Sequence, residues 1–270
     1  MQDLNLPTID LMKCYETAPP PPDFVLPGLR AGSLGMLSGP GAIGKSLFAL
    51  QIALDVSCGS NLAGLRKGAG QAGRVLLLNA ADPEDEIVRR MYSAGQLLSE
   101  NERVLSDKNL EIHSLCDLGV NITSPEWREY VENEAQGARL VIIDTLRELH
   151  SLDELQQAEM VRLMEYFRSL CERCETTVLI LHRNRFNQAW PLESYPRLHM
   201  TLSAPAQTKA AERGIKAGEH TSYVILSSSG RDLDSDREKW YRRGEGGLLR
   251  QVNFEKSKAR SSSRWRGEEA

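Results

Sequence analysis

Cysteine is scarce and poorly spaced for cross-linking: there are five, at positions 14, 58, 116, 171 and 174. An odd count with irregular gaps argues against a disulfide framework and predicts a reducing, cytoplasmic setting. Cys171 and Cys174 form a Cys-x-x-Cys pair inside a helical pattern. A zinc site needs a second ligand pair, none is spaced for it, and the two read as helix cysteines. No apolar run approaches the roughly 20 residues that span a bilayer. The opening MQDLNLPTIDLMK lacks the basic start and apolar core of a signal peptide, so no membrane role is expected. A basic excess is missing as well. With a net charge of −4, nucleic acid could be held only by local patches. No internal repeat is visible.

What is present is ordinary globular material: 41% hydrophobic and 26% charged residues over 270 positions, enough for one large domain or one domain with an appendage. Residues 1–30 read as an N-terminal arm. Its stretch APPPPDFVLPGL is proline-rich and extended, with Phe24, Val25 and Leu26 expected to pack on the body or on a neighbour. Short apolar runs follow at 34–39, 74–79, 110–115, 139–145 and 176–182, with helical patterns at 46–58, 83–98, 124–137 and 155–175. Continuous apolar strands alternating with helices predict an α/β fold with a mostly parallel central sheet covered on both faces. Residues 183–220 read as polar and irregular. SYVILSSS, KWYRR and LLRQVNF (222–254) then read as a C-terminal antiparallel extension with turns at RDLDSD and GEGG. The main domain thus spans 31–255. The remainder, 256–270, is basic and serine-rich, with the composition of a disordered tail. Its Trp265 could stack on a base or simply be solvated.

The chemistry sits in Gly39-Pro40-Gly41-Ala42-Ile43-Gly44-Lys45-Ser46, a full match to the G-x-x-x-x-G-K-S/T phosphate loop. Glycines let backbone N–H groups curl around phosphate oxygens, and the following helix aims its positive end at them. Lys45 would reach the β- and γ-phosphates and Ser46 would hold Mg²⁺. The strand before and the amphipathic helix after supply the context the motif needs. Asp144 closes the run RLVIID and so falls at the carboxyl edge of a buried strand, where ligands collect in open parallel sheets. Alone it could be a cap or turn residue; beside a phosphate loop it is the expected metal-side carboxylate. His182 closes TTVLILH. It could sense the γ-phosphate or be an ordinary strand-end histidine.

These motifs, with APPPPDFVLP, LLLNAADPEDEIVRRM, SPEW, VIIDTLRELH, LILH and WYRRGEGGLL, make the chain resemble the RepA-type hexameric replicative helicases of broad-host-range plasmids, within the RecA-like P-loop ATPases. The resemblance runs through nearly the whole chain. It implies a ring-forming homo-oligomer, hexameric as in that family, with ATP and Mg²⁺ between subunits and single-stranded DNA in the channel. Partners in mobile-element replication or defence would follow. Lys45, Ser46, Asp144 and His182 match that family's nucleotide-site positions. Arg197, in YPRLHMTL, falls where the family supplies an arginine finger to the neighbour's ATP, which makes Lys45 and Arg197 the catalytic candidates.

Three departures stand out. Ala81 occupies the position of the family's water-polarising glutamate. Arg183 replaces the second of two histidines. The stretch from His182 to Arg197 is shorter than in the plasmid helicases, at the place of a DNA-gripping loop. Arg183 and Arg185, with Asn184 and Asn187 and the aromatics Phe186 and Trp190, remain as a candidate nucleic-acid surface; the alternative is a loop whose aromatics pack beneath it. Two functions therefore stay open: an ATP-driven motor on DNA that lacks its expected base, and a nucleotide-gated scaffold with little turnover. A small-molecule kinase is disfavoured because no lid or substrate insertion is apparent. Should the chain hydrolyse ATP, Asp82, Glu84 and Asp85 are the nearest substitute carboxylates, although Pro83 should start a helix that takes the latter two into its first turn.

Overall fold

The computed structural model describes residues 8–65, 71–183, 195–233 and 237–254. Arg185, Phe186, Trp190, the 256–270 tail and its Trp265 lie outside that set. In chain order the elements are α1 (Leu11–Glu16), β1 (Phe24–Leu26), β2 (Leu29–Arg30), β3 (Leu34–Gly39), α2 (Lys45–Cys58), β4 (Val75–Asn79), α3 (Glu84–Gly95), α4 (Glu100–Asn109) and β5 (Leu110–Ser114). They continue with α5 (Pro125–Ala135), β6 (Leu140–Asp144), α6 (Gln157–Arg173), β7 (Val178–Arg183), β8 (Leu198–Ser203), α7 (Gln207–Ala211), β9 (Tyr223–Gly230), β10 (Arg237–Arg243) and β11 (Leu249–Val252).

A nine-stranded sheet runs in the order β11-β10-β9-β8-β3-β7-β6-β4-β5. The pairings from β8 to β5 are parallel, and those from β8 to β11 are antiparallel. The mostly parallel sheet with an antiparallel extension is therefore as the sequence predicts. The stretch 183–220 differs from expectation, because it holds β8, hydrogen-bonded alongside β3. Leu198, Met200 and Leu202 are buried while His199, Thr201 and Ser203 between them are partly exposed. This period-two strand has no continuous apolar run to announce it. Helix α4 was not anticipated either. It begins with a capping box in which Ser99 and Glu102 satisfy each other's backbone N–H groups, a signal readable as S-x-x-E.

Two large apolar clusters lie on opposite faces of the sheet, as the alternation of β-strand side chains requires. One holds Met36, Leu78, Ile143 and Ile180 with α6; the other holds Leu37, Leu77, Ile142 and Leu181 with α2. Val25, Leu26 and Leu29 join the second cluster, so residues 24–30 pack on the chain's own body. Asp23 ties this segment down through a two-pronged ion pair with Arg139, at 2.7 and 2.9 Å.

Helix α2 is buried from Leu47 to Cys58, and a helix apolar nearly all round belongs inside. Its two long polar groups are satisfied. Asp55 accepts from Ser60 Oγ and from the backbone N–H groups of Leu62 and Ala63 at 2.6–2.9 Å. Gln51 donates to the carbonyls of Leu62 and Leu249 and accepts from Leu249 N–H, each at 3.0 Å. Phe48 meets Tyr241 edge-on at 5.2 Å, a contact worth about 0.5–1.5 kcal/mol beyond its buried area. The start of α2 is thereby fixed against β10 and β11.

Candidate functional site

The phosphate loop leaves β3 at the carboxyl edge of the sheet. Gly39 has φ 150°, and a Cβ there would meet the Leu202 carbonyl oxygen at 2.4 Å. No larger residue fits between the two strands at this point. Gly44, at φ 103°, turns the chain into α2. Lys45 is buried and folds back so that Nζ donates to the carbonyls of Gly39 at 3.0 Å and Pro40 at 2.9 Å. Burial pushes its ammonium below the ordinary lysine range, and the charge of Arg183 adds to that, against the pull of Asp144.

Asp144 closes β6 and is only 2% exposed. Ser46 Oγ donates to its Oδ1 at 3.0 Å. Burial pushes the carboxyl up to about 7, partly offset by the Ser46 hydrogen bond. A buried carboxylate beside a serine hydroxyl suits a hard divalent cation, so Ser46 and Asp144 fit Mg²⁺. The loop amides and Lys45 fit the phosphates of ATP. Bound there, Mg²⁺ would neutralise phosphate charge.

The neighbouring strand β4 ends at Asn79, the register partner of Asp144. Asn79 Nδ2 donates to the Asp82 carbonyl at 2.6 Å, which tightens the turn. Ala81 brings only a methyl group to the cleft it lines. Asp82 lines the cleft too, but its carboxylate is engaged by Arg90 at 2.5 and 3.2 Å, and Arg90 also holds Glu86 at 3.0 Å. Glu84 and Asp85 lie in the first turn of α3, and Asp85 pairs with Arg89. They are helix-start charges, as expected, and do not line the cleft.

The cleft has a volume of about 1270 Å³, and it gathers Lys45, Ser46, Ala81, Asp82, Arg90 and Arg183 with several groups the sequence did not single out. Asp117, Glu148 and Glu154 bring further carboxylates. Arg243 reaches in from β10, and its Nη2 donates to the Ile43 carbonyl at 2.8 Å. Gly246 and Gly247, from the GEGG turn, complete the rim. Of these, only the paired glycines were marked by the sequence, as part of the GEGG turn, and both take positive φ (64° and 75°).

The other expected residues divide by location. His182 is buried at the end of β7 beside Ser38 of β3. Arg183, the next residue, lies over the phosphate loop. Arg197 sits at the opposite, amino edge, where its N–H bonds the Leu34 carbonyl at 2.8 Å. Its guanidinium is paired with Asp232. The structure therefore assembles Lys45, Ser46, Asp144 and Arg183 into one site and leaves Arg197 outside it. Cys171 lies in the last turn of α6 and Cys174 caps its C-terminus, both buried; the sequence reading put both inside the helix. Among the described residues no helix is long and apolar enough to cross a membrane.

Comparison with known proteins agrees with this arrangement. The RadB recombinase superposes with a TM-score of 0.55 at 13% identity, covering 83% of this chain and 93% of that one. The ATPase domain of G40P superposes with a TM-score of 0.55 at 12% identity, covering 83% of this chain and 86% of that one. Such low identities establish the fold, a RecA-like one. A family described as "AAA domain" matches residues 3–189, more than half of the chain and the whole of the phosphate loop, Ala81, Asp144 and His182. The protein thus belongs to the AAA-domain family, built on a RecA-like P-loop ATPase fold.

Proposed function

We propose that the protein is an ATP-binding, ring-forming motor of the RepA type that acts on single-stranded DNA for a plasmid or another mobile element. The observation that carries this reading is the meeting of Lys45, Ser46 and Asp144 at one sheet edge. Their hydrogen bonds and burial suit a Mg²⁺-nucleotide. The ring finds support in two places. Arg197 stands at the amino edge of β8, about 16 Å of strand away from its own loop, so it would serve a neighbour's nucleotide after leaving Asp232. Ile9, Leu11, Met12 and Tyr15 are exposed on and beside α1, and would let the arm pack on a second copy. DNA would meet the segment after β7 that carries Arg185.

A nucleotide-gated scaffold is the second reading. The observation favouring it is the pair Ala81 and Asp82: one has no carboxylate, and the other has its carboxylate occupied by Arg90. ATP turnover with and without single-stranded DNA, on this chain and on Ala81→Glu, separates the two. Restored DNA-stimulated turnover in Ala81→Glu identifies a motor short of one base. No gain identifies a scaffold. Brisk turnover by the unaltered chain sinks the scaffold and points to Asp117, Glu148 or Glu154 as the base. Failure of the unaltered chain to bind ATP at all overturns both.

A further inference from the structure

Arg183 closes β7 and is the register partner of Gly39, the first residue of the phosphate loop. Its side chain turns over that loop. A Cβ built on Gly41 would come within 2.9–3.0 Å of Arg183 Nη2, Cζ and Nε. The guanidinium therefore lies along the bare backbone of Gly41, in space that any side chain there would take. Lys45 reaches the same end of the loop, because its Nζ is bonded to the carbonyls of Gly39 and Pro40. Two cations thus converge on the first residues of the loop. The charge of Arg183 is felt by Lys45. This is the end of the motif where the lysine meets the β- and γ-phosphates.

Arg243, on the other side of the loop, is committed to the Ile43 carbonyl. Arg183 makes no ion pair with a carboxylate among the described residues. Like charges held side by side call for an anion. A planar guanidinium fork matches two phosphate oxygens and stays charged at any physiological pH.

We infer that Arg183 binds the terminal phosphate of the nucleoside triphosphate held by its own subunit, so that the site prefers triphosphate over diphosphate. This rests on the ATP-site reading above and refines it. It gives Arg183 a different role from the nucleic-acid contact its sequence position suggests. A diphosphate would leave the guanidinium facing Lys45 with no anion between them.

The test is a titration of a non-hydrolysable ATP analogue, of ADP, and of a single-stranded oligonucleotide into the full chain, Arg183→Gln and Arg183→Lys. Arg183 is exposed, so neither substitution threatens the core. Arg183→Gln is expected to weaken the triphosphate analogue by about tenfold or more. ADP and oligonucleotide affinities should stay unchanged, and Arg183→Lys should recover part of the loss. Equal loss for both nucleotides overturns the inference. So does a loss of oligonucleotide binding with nucleotide affinities intact. Failure of the unaltered chain to bind either nucleotide overturns the ATP-site reading itself, a separate result.

Discussion

The loop between β3 and α2 and the turn between β4 and α3 leave the same edge of the sheet and face the same cleft, yet they are furnished very differently. In the first, nearly every position has a fixed task. Gly39 fits against the Leu202 carbonyl, Lys45 folds on the loop, Ser46 bonds Asp144, and Arg183 and Arg243 brace it from either side. In the second, Ala81 offers a methyl group and the carboxylates beside it are spent on Arg89 and Arg90. Phosphate recognition rests largely on main chain and on several side chains together, so no single change removes it cleanly. On the function proposed above, water activation would rest on one carboxylate, and one position could lose it without disturbing a strand.

The largest effect expected from breaking this contrast is on turnover. Ala81→Glu should raise the rate of phosphate release by about 10²–10⁴-fold while nucleotide affinity, read by titration, stays put. If affinity moves as far as rate, the two regions are not separable. Next in size is Lys45→Ala. Loss of the buried ammonium should weaken ATP binding by about tenfold or more, since hydrogen bonds from charged groups are the stronger kind. Thermal melting without nucleotide should fall only modestly, through the Gly39 and Pro40 carbonyls that lose their donor.

Gly39→Ala should destabilise the fold by about 1–3 kcal/mol in chemical denaturation, because the methyl group meets a carbonyl oxygen. The matching change in α3, Gly95→Ala, points into open space and should stabilise by about 0.4–1 kcal/mol. A separate readout of the cleft is a pH slope. Asp144 titrates at about 7 in the fold against 3.8 ordinarily. Between those values the native chain holds a proton that the unfolded chain has released, so stability falls as pH rises through that window. Asp144→Asn should flatten that part of a melting-temperature profile taken from pH 4 to 8, with its gain growing up to pH 7 and level above.

The parallel half of the fold was legible because its strands are continuous apolar runs, such as VLLL and LVII, that can only be buried on both faces. The position of Asp144 followed from the same logic. Strand β8 was not legible. Its alternation is short, and its place beside β3 depends on a partner more than 150 residues away. Arg243 was hidden for a similar reason, since its bond to Ile43 spans 200 positions. Arg183 reads from sequence as the first residue of the loop after the strand, whereas it closes β7; a strand-end arginine can face either the loop before it or the segment after it. Only the bare backbone of Gly41 decides the matter.

The Gln51 side chain, which grips both backbone groups of Leu249, carries a consequence for the molecule as a mechanical object. The helix that presents the phosphate loop and the strand near the far end of the chain are riveted together, so the nucleotide site is only as stiff as that terminal strand. Trimming the chain back past Leu249, far from any phosphate in sequence, would slacken the grip on the nucleotide before it unravelled the sheet.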